Sequence, residues 1–241
     1  MNPRTQKILE AVIKEFMATG QPVSSGYLYK KYDFGAKPAT IRNELNFLDE
    51  ENFLEQPHTS GGRLPTDKAY RFLVEQITAD FLDEIAMAAD KMVSALRAEL
   101  THQNFDGFVG DVAEELEILG VGYSAGQQTV YKSGLDYLFK NLMSDFSFNS
   151  IADTFQIIED FEMLDERIAD LDSFITKDSE PKVFIGKSPI TKSNQLSVIA
   201  DRYQANGEDF ILAIVGPKRM DYERNIGFLK KLKKQSTNSK Q

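Results

Sequence analysis

The chain has no cysteine and no tryptophan, and only two histidines among 241 residues. Without cysteine there are no disulfides, zinc–thiolate sites or thiol catalysis, which accords with a reducing compartment. His58 and His102 have no nucleophile or metal partner at a useful spacing, and the carboxylates lie on helix faces at ordinary density. No apolar run approaches the roughly 20 residues that span a bilayer. The opening MNPRTQKILE carries no apolar core of the kind a secretion signal needs. Two glycine-bearing stretches suggest phosphate loops and fail. Gly120 to Gly126 lacks the G-x-G-x-x-G spacing, and Gly186-Lys187-Ser188 has Pro181 where the earlier glycine is required. The expectation is a cytoplasmic protein that is not an enzyme, has no cofactor or metal, and stays off the membrane.

Charge is also scarce where nucleic acid would want it. The chain carries 28 Lys and Arg against 37 Asp and Glu, a net charge of −9. The imbalance is local, since residues 1–79 hold ten of each sign and the whole excess of acid lies beyond them. A neutral N-terminal region can still present a basic face, though with modest non-specific affinity, because few phosphates are neutralised at once. At this length, two domains are a reasonable starting point.

The most informative stretch is Ala36 to Thr66. Ile41, Leu45 and Leu48 recur at i, i+4 and i+7, the buried stripe of a helix. Ala39, Asn43 and Asn46 lie opposite, with Thr40 and Arg42 flanking, so the outer face is small and amide-bearing. Asn can bond bidentately to an adenine edge, and Arg to guanine or phosphate. Phe53 to Gln56 reads as a short strand, Ser60-Gly61-Gly62 as a turn, and Arg63-Leu64 as the returning strand, stopped by Pro65. A helix followed by a hairpin with His58, Thr59 and Arg63 near its tip is the winged form of the helix-turn-helix. The plainer alternative is a surface helix beside a structural hairpin.

Around this stretch, Pro3 to Thr19 is an amphipathic helix ended by Gly20. Ser24 or Ser25 caps a second helix, Gly26 to Lys31. Pro38 suits the first turn of the third helix, whereas Lys37 is a poor cap facing the positive end of the dipole. It is either a mild flaw or a phosphate contact. Thr66-Asp67 opens a helix with Ala69, Tyr70, Leu73, Val74 and Ile77 inward. The helical pattern extends through Phe81-Leu82 and Ile85 toward Leu96 and Leu100, as an interdomain spacer, a dimer helix, or a face packed on the second domain. Helices follow over Asn104 to Leu119, Ser133 to Met143 and Ser150 to Phe174. Strands are expected at Thr129–Lys132, Lys182–Gly186, Leu196–Tyr203 and Asp209–Val215. Asn206-Gly207 is the strongest hairpin signal in the chain. Gly216-Pro217 breaks the last strand, and Asp221 caps a final helix.

Several of these runs together are similar to one family. Thr40-Ile41-Arg42-Asn43-Glu44, Leu54 to Ser60, Gly62-Arg63 and Lys68-x-Tyr70-Arg71-Phe72 resemble the N-terminal motifs of the heat-inducible transcription repressor HrcA family. Val130-Tyr131-x-Ser133-Gly134-Leu135, Val183 to Gly186 and Val215 to Tyr222 resemble its later motifs. The resemblance implies an α+β protein with an N-terminal winged helix-turn-helix (1–79), a helical linker or dimerisation segment (80–104), a GAF-like α/β domain (105–234) and a disordered tail (235–241). About fifty residues, Phe81 to Val130, separate the two groups of motifs. The dimerisation insertion of the family is therefore expected to be reduced or missing.

The resemblance further implies a homodimeric repressor of chaperone genes, bound to an inverted-repeat operator in double-stranded DNA and released on heat stress. A GroE-type chaperonin is the implied partner in reaching the active fold. Thr40, Arg42, Asn43 and Asn46 would read bases. Ser24, Ser25, Lys37, His58, Thr59 and Arg63 would hold the backbone or the minor groove. The alternative is a winged-helix regulator that senses a small molecule through the GAF-like domain.

Overall fold

The computed structural model describes residues 1–57, 61–77, 90–177 and 179–234. His58, Thr59 and the first residue of the expected turn, Ser60, lie outside them, as do the helical run through Phe81 and Ile85 and the tail after 234.

The chain divides into two compact units, and the described residues fall within the bounds Met1–Gln76 with Ser144–Asn149 for the first, and Ile77–Met143 with Ser150–Gln241 for the second. In the first, α1 (Pro3–Thr19) starts where the Asn2 side chain accepts the Thr5 N–H at 2.9 Å, and Gly20 closes it onto the Phe16 carbonyl. Helix α2 (Ser25–Lys31) is capped by Ser24, whose hydroxyl accepts the Tyr27 N–H at 3.1 Å. Helix α3 (Pro38–Glu50) begins at Lys37 with no side-chain cap, as its sequence predicts. Ile41, Leu45 and Leu48 are buried against α1, where Ile8, Leu9, Val12, Ile13 and Phe16 form the facing stripe. Burying side chains of this size contributes about 1.5–3 kcal/mol each.

Strands β1 (Leu54–Glu55) and β2 (Leu64–Pro65) pair antiparallel, with Leu54 opposite Pro65. Helix α4 (Asp67–Gln76) packs back through Ala69 and Tyr70. The hairpin is pinned to the α1–α2 connection, where Val23 and Arg63 exchange both backbone hydrogen bonds, at 3.0 and 2.9 Å. Gly62 is required at that crossing, because a Cβ there would lie 2.6 Å from the Val23 backbone. Residues 144–149 complete this unit, with the Phe146 N–H donating to the Gly20 carbonyl at 2.9 Å.

The second unit contains α5 (Asp90–Thr101), α6 (Phe105–Leu116), β3 (Leu119–Ser124), β4 (Thr129–Ser133) and α7 (Leu135–Met143). It continues with α8 (Ile151–Glu162), α9 (Leu164–Arg167), a 3-10 turn (Ile168–Ser173), β5 (Lys182–Ile185), β6 (Leu196–Ala205), β7 (Glu208–Pro217) and α10 (Tyr222–Lys234). The five strands form one antiparallel sheet in the order β4-β3-β7-β6-β5. Asn206 and Gly207 form the two-residue turn between β6 and β7, with φ of 51° and 85°, as the dipeptide predicts.

Two expectations are corrected here. Strand β7 runs on to Pro217, paired with Leu196, rather than ending before Gly216. The helix expected to reach Leu119 ends at Leu116, and Leu119–Ser124, where no strand is expected, is a strand paired on both sides. Its glycines mark a close approach, not a turn. A Cβ on Gly122 would lie 2.4 Å from the Phe210 ring and 2.6 Å from Val109. Helix α6 lies over that place, where Phe105 stacks on Phe210 with centroids 4.6 Å apart and Phe108 meets it edge-on at 5.7 Å. The fold is therefore α+β.

Candidate nucleic-acid interface

The face of interest is held from behind by two carboxylates. Glu15, on α1, is 3% exposed and accepts hydrogen bonds from Tyr27 and Tyr32, each at 2.5 Å, and from Lys31 at 2.8 Å. Burial pushes its pKa up, but the bonds from Lys31, Tyr27 and Tyr32 outweigh this and hold it at about 2. Burial, and then the same carboxylate, pushes Tyr32 up to about 12. Together these bonds tie α2 and the residue after it to α1. Glu44, on α3, accepts from the Thr5 hydroxyl at 2.5 Å and from Arg4 at 2.8 Å. The Thr5 bond, aided by Arg4, keeps its carboxyl below the ordinary range in spite of partial burial. The first turn of α1 thus anchors the middle of α3.

With its inner face so occupied, α3 turns Arg42, Asn43, Asn46 and Phe47 outward. The side chains of Lys37, Thr40, Arg42 and Asn43 make no hydrogen bond or ion pair with the described residues. An exposed cation and an amide without partners among the described residues, on a helix whose other face is anchored, can meet phosphates and base edges without first breaking a contact there.

Beside this face runs a groove of about 590 Å³, lined by Ser24 and Ser25 from the start of α2, Arg42 and Asn46 from α3, and Gln56, Gly61, Gly62 and Arg63 from the hairpin. Five of the ten residues expected from sequence therefore line one groove: Ser24, Ser25, Arg42, Asn46 and Arg63. Lys37, Thr40 and Asn43 lie on or at the start of the same helix but outside this lining. His58 and Thr59 lie outside the described residues.

Arg63 differs from the others, because its guanidinium points inward. Its Nη2 donates to Asn46 Oδ1 at 2.9 Å, its Nε stands 3.3 Å from Asp49, and its side chain is 12% exposed. Sequence reading passed over Gln56 and Phe47. Gln56 follows β1 and lines the groove, with its amide toward the Gly61 carbonyl at 3.4 Å. Phe47 is 42% exposed on the outer side of α3. Placing Phe47 on the same helical wheel as Asn43 would have found it.

Among the described residues, no helix is long and apolar enough to cross a membrane. Comparison with known proteins gives a consistent set of matches. The model of the family described as "HrcA protein C terminal domain" matches residues 63–226. The heat-inducible transcription repressor HrcA of Desulfitobacterium hafniense is 36% identical over 110 residues, which is 43% of this chain and 32% of that protein. The protein of the same name from Moorella thermoacetica is 51% identical over 75 residues, 31% of this chain and 22% of its own. The matched segments thus span about a third or less of these relatives. A crystal structure of a hypothetical protein superposes with a TM-score of 0.67 at 18% identity, covering 99% of this chain and 98% of that one. At that identity it speaks for the fold alone.

Proposed function

The chain belongs to the HrcA family, and on that premise we propose that it is a DNA-binding repressor of heat-shock (chaperone) genes. In this reading the first unit is a winged helix-turn-helix, and α3 enters the major groove of an inverted-repeat operator. Thr40, Arg42, Asn43 and Asn46 read bases. Ser24, Ser25, Lys37, His58 and Thr59 hold the backbone or the minor groove. Arg63 holds the hairpin against α3. The second unit is the GAF-like domain; it joins two protomers, so that a two-fold matches the repeat. The protein acts in the cytoplasm and depends on a GroE-type chaperonin for its active fold. Unfolded chains that occupy the chaperonin on heat stress then relieve repression. That requires only a marginal fold, in which about 1–2 kcal/mol shifts the active fraction several-fold.

The observation that carries the reading is the outward face of α3, where the side chains of Arg42 and Asn43 have no partner among the described residues and share the helix with the groove. The test is fluorescence anisotropy on a duplex carrying a spaced inverted repeat and on a scrambled one, across a salt series, with molar mass from light scattering. Repeat-dependent binding by a dimer is expected. Equal binding to both duplexes would sink the reading.

A further inference from the structure

We propose that Arg63 sets the base preference of Asn46, turning it from an adenine reader into a guanine reader. This rests on the repressor reading above. An Asn on a recognition helix ordinarily reads adenine with both ends of its amide, the oxygen accepting from N6 and the nitrogen donating to N7. That option needs the oxygen turned toward the base; an amide oxygen can accept twice, but a bond to a fixed partner holds it facing that partner. Arg has only donors, so the amide atom facing it must be the oxygen. Here Arg63 Nη2 donates to Asn46 Oδ1 at 2.9 Å.

The guanidinium cannot easily leave. Its Nε pairs with Asp49, its side chain is 12% exposed, and its backbone is bridged in both directions to Val23. Asn46 is itself exposed, and its amide nitrogen has no partner among the described residues. The group presented to DNA is therefore an NH₂, a donor only. Guanine offers it two acceptors, O6 and N7. Adenine offers N7 beside an N6 amino group, which would face another donor.

The test starts with selection from a randomised duplex pool by the full chain. Anisotropy is then measured on the selected duplex and its single-base-pair variants, for the wild type, Arg63→Met and Asn46→Asp. The wild type is expected to prefer guanine over adenine about tenfold at one position. Arg63→Met keeps the stem but donates nothing. It should bring that ratio to unity or reverse it while leaving other positions alone. Asn46→Asp keeps the bond to Arg63 but has no N–H, and should abolish the guanine preference.

The inference is overturned if Arg63→Met weakens every duplex by one common factor, or if Asn46→Asp retains the wild-type profile. Should Arg63→Met lower the melting temperature, Asn46→Asp decides alone, since it keeps the acceptor that Arg63 bonds. A wild type with no preference at any position overturns the repressor reading as well, which separates the two failures.

Discussion

Within each unit an apolar core is joined by charged bonds, but in different proportion. In the second, the apolar core is larger and continuous, and two ion pairs on buried carboxylates add to it, Arg167 with Asp160 and Lys233 with Asp201. Strand β7 is buried from Phe210 to Val215, and the Phe105, Phe108 and Phe210 rings form a contiguous cluster beneath α6. In the first, a smaller apolar core is supplemented by charged bonds at the helix crossings, with Glu15 tying α2 to α1 and Glu44 tying α3 to α1. The difference follows from what each unit exposes. A short helical unit that leaves one face of α3 exposed has less surface to bury, so directional bonds on the opposite side help fix its geometry. They do so with carboxylates kept away from the outward face.

The largest expected effect tests the apolar side of this contrast. Phe210→Ala should cost about 3–5 kcal/mol. Hydrogen exchange should show lost protection in β6 and β7, with α1 and α3 keeping theirs; equal loss in both would mean the units share one cooperative core. Next comes the polar side. Glu15→Ala removes the acceptor shared by Tyr27, Tyr32 and Lys31 and should cost about 2–3 kcal/mol, read as a lower melting temperature and early exchange in α2.

Acid should act through the same group. Its folded pKa, about 2, lies below the unfolded 4.5. Its stabilisation is thus complete above pH 4.5 and is lost as pH falls from there toward 2. A pH titration followed by exchange should show α2 loosening before β7; simultaneous loss would erase the contrast.

A smaller effect is expected at the outward face. Arg42→Ala should lower operator affinity by about 1–3 kcal/mol and relax sequence preference, with stability changed by no more than about 0.5 kcal/mol. A matching fall in melting temperature would make Arg42 structural. The smallest change is Lys37→Ala. It should weaken all duplexes alike and reduce the salt slope by about one, as removal of a single phosphate contact does.

Much of this was legible because it is periodic. Ile41, Leu45 and Leu48 announce the inner side of α3, and Asn206-Gly207 announces its turn by residue type alone. Strand β3 was hidden because Gly120 and Gly122 imitate a loop. Only the ring of Phe210, some ninety residues away, explains why a strand needs them. The internal contacts of Arg63 were hidden for a similar reason. A cation at a hairpin reads as a phosphate contact, and nothing local shows that it also bonds Asp49 and Asn46 on α3. Nor does anything local to 144–149 reveal that it joins the first unit, because that depends on its contact with Gly20. Patterns within one element survive in sequence, whereas choices between distant partners do not.

The β6–β7 turn also bears on chemical ageing. Asn-Gly is a fragile dipeptide, because the glycine nitrogen, unshielded by a side chain, can attack the asparagine amide carbon, release ammonia and close a succinimide ring. In the folded chain the Asn206 amide nitrogen donates to the Thr101 carbonyl at 2.5 Å. That bond restrains the side chain against the rotation the attack requires. When the hairpin opens the restraint is lost, so each excursion to high temperature should leave deamidated Asn206 behind. Peptide mass spectrometry of protein held near its melting temperature would count those excursions.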